Sequence, residues 1–212
     1  MNDSTGPRSA LQRKLPVVGE PRPERADARR NRLRVLEAAD RLFTEQGVKN
    51  VSLDAIAAAA GVGKGTVFRR FGDRAGLAVA LLDEREQELQ AKILSGPPPL
   101  GPGAAPVLRV IAFLDAYLDL LDRHVELFMD SENASDGARY RIGSYNLWRR
   151  HLALLIEEAR PDLDADYTAH LVLAPLAADL HKSLRDQGFD LARIKSGLHT
   201  ATTSLLGAVS GV

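Results

Sequence analysis

The stretch over residues 52–71 constrains the fold most. An unbroken alanine run, Ala57-Ala58-Ala59-Ala60, leads into Gly61-Val62-Gly63 and then Lys64-Gly65-Thr66-Val67-Phe68-Arg69-Arg70-Phe71. Alanine is the strongest helix former and ends at Cβ, so the run predicts a short helix that a neighbour can approach closely. Ser52 is a suitable N-cap for this helix, which spans residues 53–60 and ends at Gly61. After the tight glycine turn, a second short helix runs from Lys64 to about Phe71. Two short helices, small residues at their contact and glycine in the turn are the requirements of a helix-turn-helix.

The second helix also carries suitable chemistry at its N-terminal end. A helix entering the major groove must present short or polar side chains there. Gly63 and Gly65 let the backbone come close to a duplex. Lys64 can reach a guanine edge or a phosphate, and the Thr66 methyl can meet a thymine. Arg69 and Arg70 add permanent cations, while Val67 and Phe71 are expected to face inward. The string from Gly61 to Thr66 is no phosphate-binding loop. That loop needs Ser or Thr directly after its lysine and a strand before it; here Gly65 follows Lys64, and an alanine helix comes first.

The flanks read as helix too. One helix is expected over residues 27–46, with Asp27 as N-cap and Gly47 as its stop. Leu33, Leu36, Ala39, Leu42 and Phe43 share its inner face, and Arg29, Arg30, Arg32 and Arg34 crowd its first turns. Another runs from Arg74 to about Leu94, capped by Asp73. Residues 1–26 hold Pro7, Pro16, Pro21 and Pro23 among scattered arginines and are expected to be a disordered basic arm.

The chain's 28 Lys+Arg balance its 28 Asp+Glu, yet residues 1–76 hold 15 of the basic and only 9 of the acidic residues. The neutral total thus hides a basic N-terminal part, which suits a polyanion, and an acidic remainder.

Beyond the Pro- and Gly-rich loop at residues 95–103, helical periodicity continues through Val110, Phe113, Leu114, Tyr117, Leu118 and Leu121. Further helices are expected near residues 127–132, 138–159, 165–187 and 191–208, with a kink at Pro175. No stretch alternates like a strand. The fold class is all-α, with about nine helices: a three-helix DNA-binding domain over 27–76 and a helical domain over 77–212. Phe113, Tyr117, Phe128, Tyr145, Trp148 and His151 are concentrated in three central helices and are candidates to line a ligand cavity. Gly197, Ala201, Ser204 and Ala208 form a stripe of small residues on the last helix, with Ile194, Leu198 and Leu205 beside it, a face suited to close packing with a partner.

Residues 36–47 and 52–71 together closely resemble the N-terminal DNA-binding domain of the TetR family of bacterial transcriptional regulators. The resemblance extends over about residues 32–81, through the alanine-rich helix, the Ala-Gly-Val turn, the Gly-Thr opening of the next helix and Phe71. It implies DNA contacts at Ser52, Thr66, Phe68, Arg70 and Arg74, mostly to backbone. Phe68 stands where the family usually has Tyr, Arg70 where it usually has His, and Arg74 where Lys is common. The resemblance further implies a homodimer bundled through its last two helices, a small-molecule effector bound among the central helices, and a repressor released from a palindromic double-stranded operator. The alternative is a non-regulatory or architectural DNA-binding protein without an effector.

No enzyme is expected. His124, His151, His170, His181 and His199 show no metal-ligand spacing, and no nucleophile elbow or dinucleotide fingerprint occurs. No cofactor, metal or catalytic residue is assigned. Without cysteine, a long apolar run or a secretory signal, the expected location is cytoplasmic, with no membrane partner.

Overall fold

The computed structural model describes residues 23–133, 135, 137–141 and 143–207. Among these are eleven α-helices, two short 3-10 segments and no strand. The expected arm lies outside the described residues up to position 22. Its last residues are helical, because α1 spans Pro23–Gln46. Proline suits a first helical turn, where an amide proton is not needed. Asp27 is therefore no cap; it lies inside α1 and pairs with Arg30 one turn on.

Helix α1 buries Val35, Leu36, Ala38, Ala39 and Phe43, and Gly47 ends it at φ +80°. A 3-10 turn, Val48–Asn50, leads to α2 (Leu53–Ala60), α3 (Lys64–Phe71) and α4 (Arg74–Ser95). Helix α2 lies on α1 through fully buried Ile56 and nearly buried Ala57 and Ala60, and α4 lies on α1 through Leu77 and Leu81. Polar pairs fix the same contact. Arg85 of α4 donates to Asp40 of α1 at 3.0 Å, and Arg32 pairs with Glu84. Helix α4 runs on unbroken past residue 76, so it joins the three-helix head rigidly to the body of the molecule.

After the proline-rich loop come α5 (Pro106–Arg123), α6 (Val125–Glu132), α7 (Ala138–Arg141) and α8 (Gly143–Ala159). The single helix expected over 138–159 is thus described as two segments. Helices α5 and α8 enclose a second part of the core around Phe113, Leu118, Trp148, Leu152 and Ile156.

The expected helix over 165–187 is also divided. Helix α9 (Ala165–Leu173) stops, a 3-10 turn (Ala174–Leu176) follows, and α10 (Ala178–Asp186) starts afresh. Pro175 breaks the helix rather than kinking it, since its ring removes an amide proton and crowds the preceding turn. Helix α11 (Leu191–Leu206) is capped by Asp190 and packs along α5. There Lys195 reaches Asp119 at 2.6 Å and His199 reaches Asp115 at 2.8 Å. Ala208 of the small-residue stripe lies outside the described residues. No described helix is long and apolar enough to cross a membrane.

Candidate nucleic-acid interface

The turn between α2 and α3 follows from its residues. The Ser52 hydroxyl accepts from the Ala55 amide at 3.1 Å and starts α2. Gly61 ends it in the left-handed region at φ +62°, so the Gly61 and Val62 amides reach the Ala58 and Ala57 carbonyls at 3.1 and 3.0 Å. A side chain at 61 would be strained in that conformation. Val67, fully buried, is the peg that holds α3 against the head.

With Val67 inward, α3 turns Lys64, Gly65, Phe68, Arg69 and Arg70 to solvent, with Thr66 half-buried beside them. Phe68 is 63% exposed, so its ring is open to an incoming surface. A Cβ built on Gly65 would meet nothing within 4 Å, so the backbone there is open to an incoming surface. Ser52 is exposed at the start of α2.

Three cations on or beside this face are held by the protein itself. Lys64 Nζ bonds Asp54 at 2.8 Å, Arg70 donates to the Ala28 carbonyl at 2.9 Å, and Arg74 donates to the Lys49 carbonyl at 2.6 Å. All are exposed contacts, which water and a polyanion can replace at small cost. Gly76 sets the angle at which α4 leaves the head: a Cβ there would lie 2.1 Å from the Phe71 carbonyl oxygen.

Residues 35–81 match the family model described as bacterial regulatory proteins, tetR family. Those residues are a TetR-type DNA-binding domain by this match. HTH-type transcriptional regulators of Staphylococcus aureus, from strains USA300 and Mu50 among others, are 47% identical to the chain over 53 residues. That match covers 25% of this chain, and the chain spans only 29% of the length of these curated relatives. Over the whole fold, a TetR-family regulator from Rhodococcus sp. has a TM-score of 0.61 at 20% identity, covering 84% of this chain and 100% of that one. SmeT, solved as a complex with triclosan, has a TM-score of 0.59 at 19% identity, covering 86% and 94%.

The TetR-family head therefore carries all eight expected DNA-contact residues on or beside the α2–α3 unit. The six residues expected to line a cavity are arranged differently. Phe113 lies 5.6 Å from Trp148, 5.9 Å from Tyr117 and 6.0 Å from His151 between ring centroids, and Tyr117 lies 5.7 Å from Phe128. Tyr145 stands apart, with its hydroxyl 2.7 Å from His170 Nδ1. The other five rings are packed on one another, and all six are buried except half-buried His151. Trp148 Nε1 and His151 Nε2 are buried there without a hydrogen-bond partner. Burial, helped by Arg109, pushes the His151 imidazole down to about 4. Two open grooves lie beside α4, and none of the six residues lines either.

Sequence reasoning missed the ties between head and body. His124, at the junction of α5 and α6, is buried with Nε2 3.5 Å from Asp40 Oδ1, and burial lowers its pKa. The only sign in the sequence is that Glu84 and Arg85 interrupt the apolar stripe of α4 with charge.

Proposed function

We propose that the chain is a DNA-binding transcriptional regulator that reads a palindromic operator as a homodimer and is released by a small molecule, in the sense of a repressor. The outward face of α3 carries the reading: Lys64, Gly65, Phe68 and Arg69 exposed above a buried Val67. Ser52, Thr66, Arg70 and Arg74 complete the contact set. A dimer would set two such helices about 34–36 Å apart, one turn of duplex. Gly197, Ala201 and Ser204, exposed on α11, supply small side chains for close packing between copies, and exposed Tyr167 and Leu171 of α9 supply apolar area. A ligand with higher affinity for a dimer whose heads are too far apart would draw the protein off DNA. Support for an effector comes from the grooves beside α4 and, by analogy, from the triclosan complex of SmeT.

The test is fluorescence anisotropy with DNA from beside the chain's own gene and random DNA of equal length. The reading requires the former to bind far more tightly, and the Lys64→Ala, Arg70→Ala double variant to lose most of that binding. Undiminished binding by the double variant overturns the contact set. Equal binding to both DNAs would instead favour an architectural protein.

A further inference from the structure

Besides the continuous helix α4, the three-helix head meets the body where the end of α1 touches the α5–α6 junction. A buried polar contact lies in that seam. His124 Nε2 faces Asp40 Oδ1 at 3.5 Å, with side chains 3% and 14% exposed. Neither atom has a hydrogen-bond partner. Asp40 commits its other oxygen to α4: Arg85 reaches Oδ2 with Nε at 3.0 Å and Nη2 at 2.9 Å. Unpaired buried polar atoms destabilise whatever arrangement buries them, so the seam is held weakly at this point.

Two clefts border the contact. One, of about 210 Å³, has Thr44, Arg123 and His124 among its walls; the other, of about 250 Å³, has Asp40, Thr44, Arg85 and Arg123. A small outward movement of α1 would let water reach both unpaired atoms.

The surroundings set the ring against a proton. Facing it are Asp40 of α1, Arg85 of α4, Arg123 of α5 and Glu126 of α6. Glu37, Arg41 and Glu45 of α1 line the same cleft as Asp40 but are exposed. Burial opposes the imidazolium most strongly, and Arg123 and Arg85 add to it; Asp40 favours the charge, but Arg85 already neutralises it. The seated ring therefore titrates below the ordinary 6.5, whereas a hydrated ring titrates near it. Seating is fully favoured above 6.5 and is weakened as pH falls below that value. The α3 face carries no histidine, all five of the chain's histidines lying at position 124 or beyond.

We propose that His124 is a proton-operated catch between body and head: neutral, it keeps α1 seated on the α5–α6 junction, and protonated it releases α1 and weakens DNA binding. A released head loses its preset position and must be ordered again on the duplex. The effect on DNA rests on the reading of the chain as a DNA-binding regulator; the release of the head does not.

Pulsed electron resonance on the full chain decides the release. The chain has no cysteine, so Ala59→Cys on α2 and Glu158→Cys on α8, both exposed, place one spin label on the head and one on the body. Excess unlabelled chain isolates the distance within one copy. Measurements at pH 7.5 and 5.5 lie either side of the ordinary imidazole value of 6.5. One narrow distance is expected at the higher pH and a broad distribution at the lower. His124→Gln, which cannot take up the proton, should stay narrow at both. Arg123→Gln removes an exposed cation that opposes the imidazolium and should lessen the broadening. Glu86 also titrates near 7, and Glu86→Gln should leave the broadening in place. Melting curves confirm that each variant is folded. Equal distributions at both pH values in the native chain, or broadening undiminished in His124→Gln or Arg123→Gln, overturn the proposal. In anisotropy at fixed salt, native affinity for DNA from beside the chain's own gene should fall about fivefold relative to His124→Gln between the two pH values. Head release that leaves this ratio unchanged overturns the effect on DNA. If the chain binds no DNA at all, the regulator reading fails, while the spin-label distances still decide the catch.

Discussion

Arg139 and Glu132 form a buried ion pair at the point where α9 breaks. Their remaining hydrogen-bonding groups go to the backbone that Pro175 disrupts. Arg139 donates to the Leu176 and Leu173 carbonyls at 3.1 and 2.9 Å, and Glu132 accepts from the Ala178 amide at 3.0 Å. Buried backbone groups left unpaired would each cost about 1–3 kcal/mol, so this pair makes the break tolerable.

Removing one partner alone should therefore be severe. Arg139→Met leaves a buried carboxylate without its cation and two carbonyls without a donor, and the expected loss is about 3–5 kcal/mol of unfolding free energy. Glu132→Gln keeps an acceptor for Ala178 and should cost less. Urea titration followed by circular dichroism measures both. A loss under about 1 kcal/mol in Arg139→Met would show that the break does not depend on this pair.

Two groups make opposing contributions to stability against pH. Glu86 is raised from 4.5 to about 7, so the folded state holds its proton more tightly and stability falls as pH rises through that window. His151 is lowered from 6.5 to about 4, so the unfolded state binds the proton first and stability rises over that window. Each is worth on the order of 1–2 kcal/mol after discounting for solvent screening. Between pH 4.5 and 6.5 they offset each other. Relative to the native chain, Glu86→Gln should make stability climb with pH, and His151→Leu should make it fall. Parallel profiles for all three proteins would remove both assignments.

The head was legible because its signals are local. Ser52, the alanine run, Gly61 and Asp73 each act within a few residues, and α2 and α3 have the bounds their sequence predicts. The body was less legible because its decisive interactions are distant in sequence. Nothing near Pro175 reveals that Arg139, 34 residues before Leu173, will accept the consequences of a full break. The aromatic residues show the limit of composition: their concentration marks a place, but the same spacing serves rings packed together and rings around a cavity. Asp40 and His124 lie far apart in the chain, and only the meeting of α1 with the α5–α6 junction sets them face to face.

Asp54 bears on the proposed DNA-reading face in a way that can be measured. It bonds Lys64 at 2.8 Å, with both side chains more than 60% exposed. Asp54→Asn frees Lys64 for phosphate and removes a negative charge from the same face. DNA affinity should rise about two- to fivefold, and the slope of log affinity against log salt should steepen by up to about 0.9 as one more phosphate is neutralised. Anisotropy over a salt series reads both. An unchanged slope would mean that Lys64 makes no phosphate contact.

Gly65 separates folding from the proposed DNA reading most cleanly. It lies inside α3, where glycine costs a helix about 0.5–1 kcal/mol relative to alanine, and an added Cβ meets nothing within 4 Å. Gly65→Ala should therefore raise stability by roughly that amount, seen as a higher melting temperature. If α3 enters the groove as proposed, the same methyl group would project toward the duplex and hold the backbone away, and affinity should fall about tenfold or more. The two effects have opposite signs, so a general defect in folding cannot imitate the pair. A variant that is more stable and binds DNA undiminished would show that the glycine serves no close approach, and the interface would then have to be rebuilt around Lys64, Phe68 and Arg69.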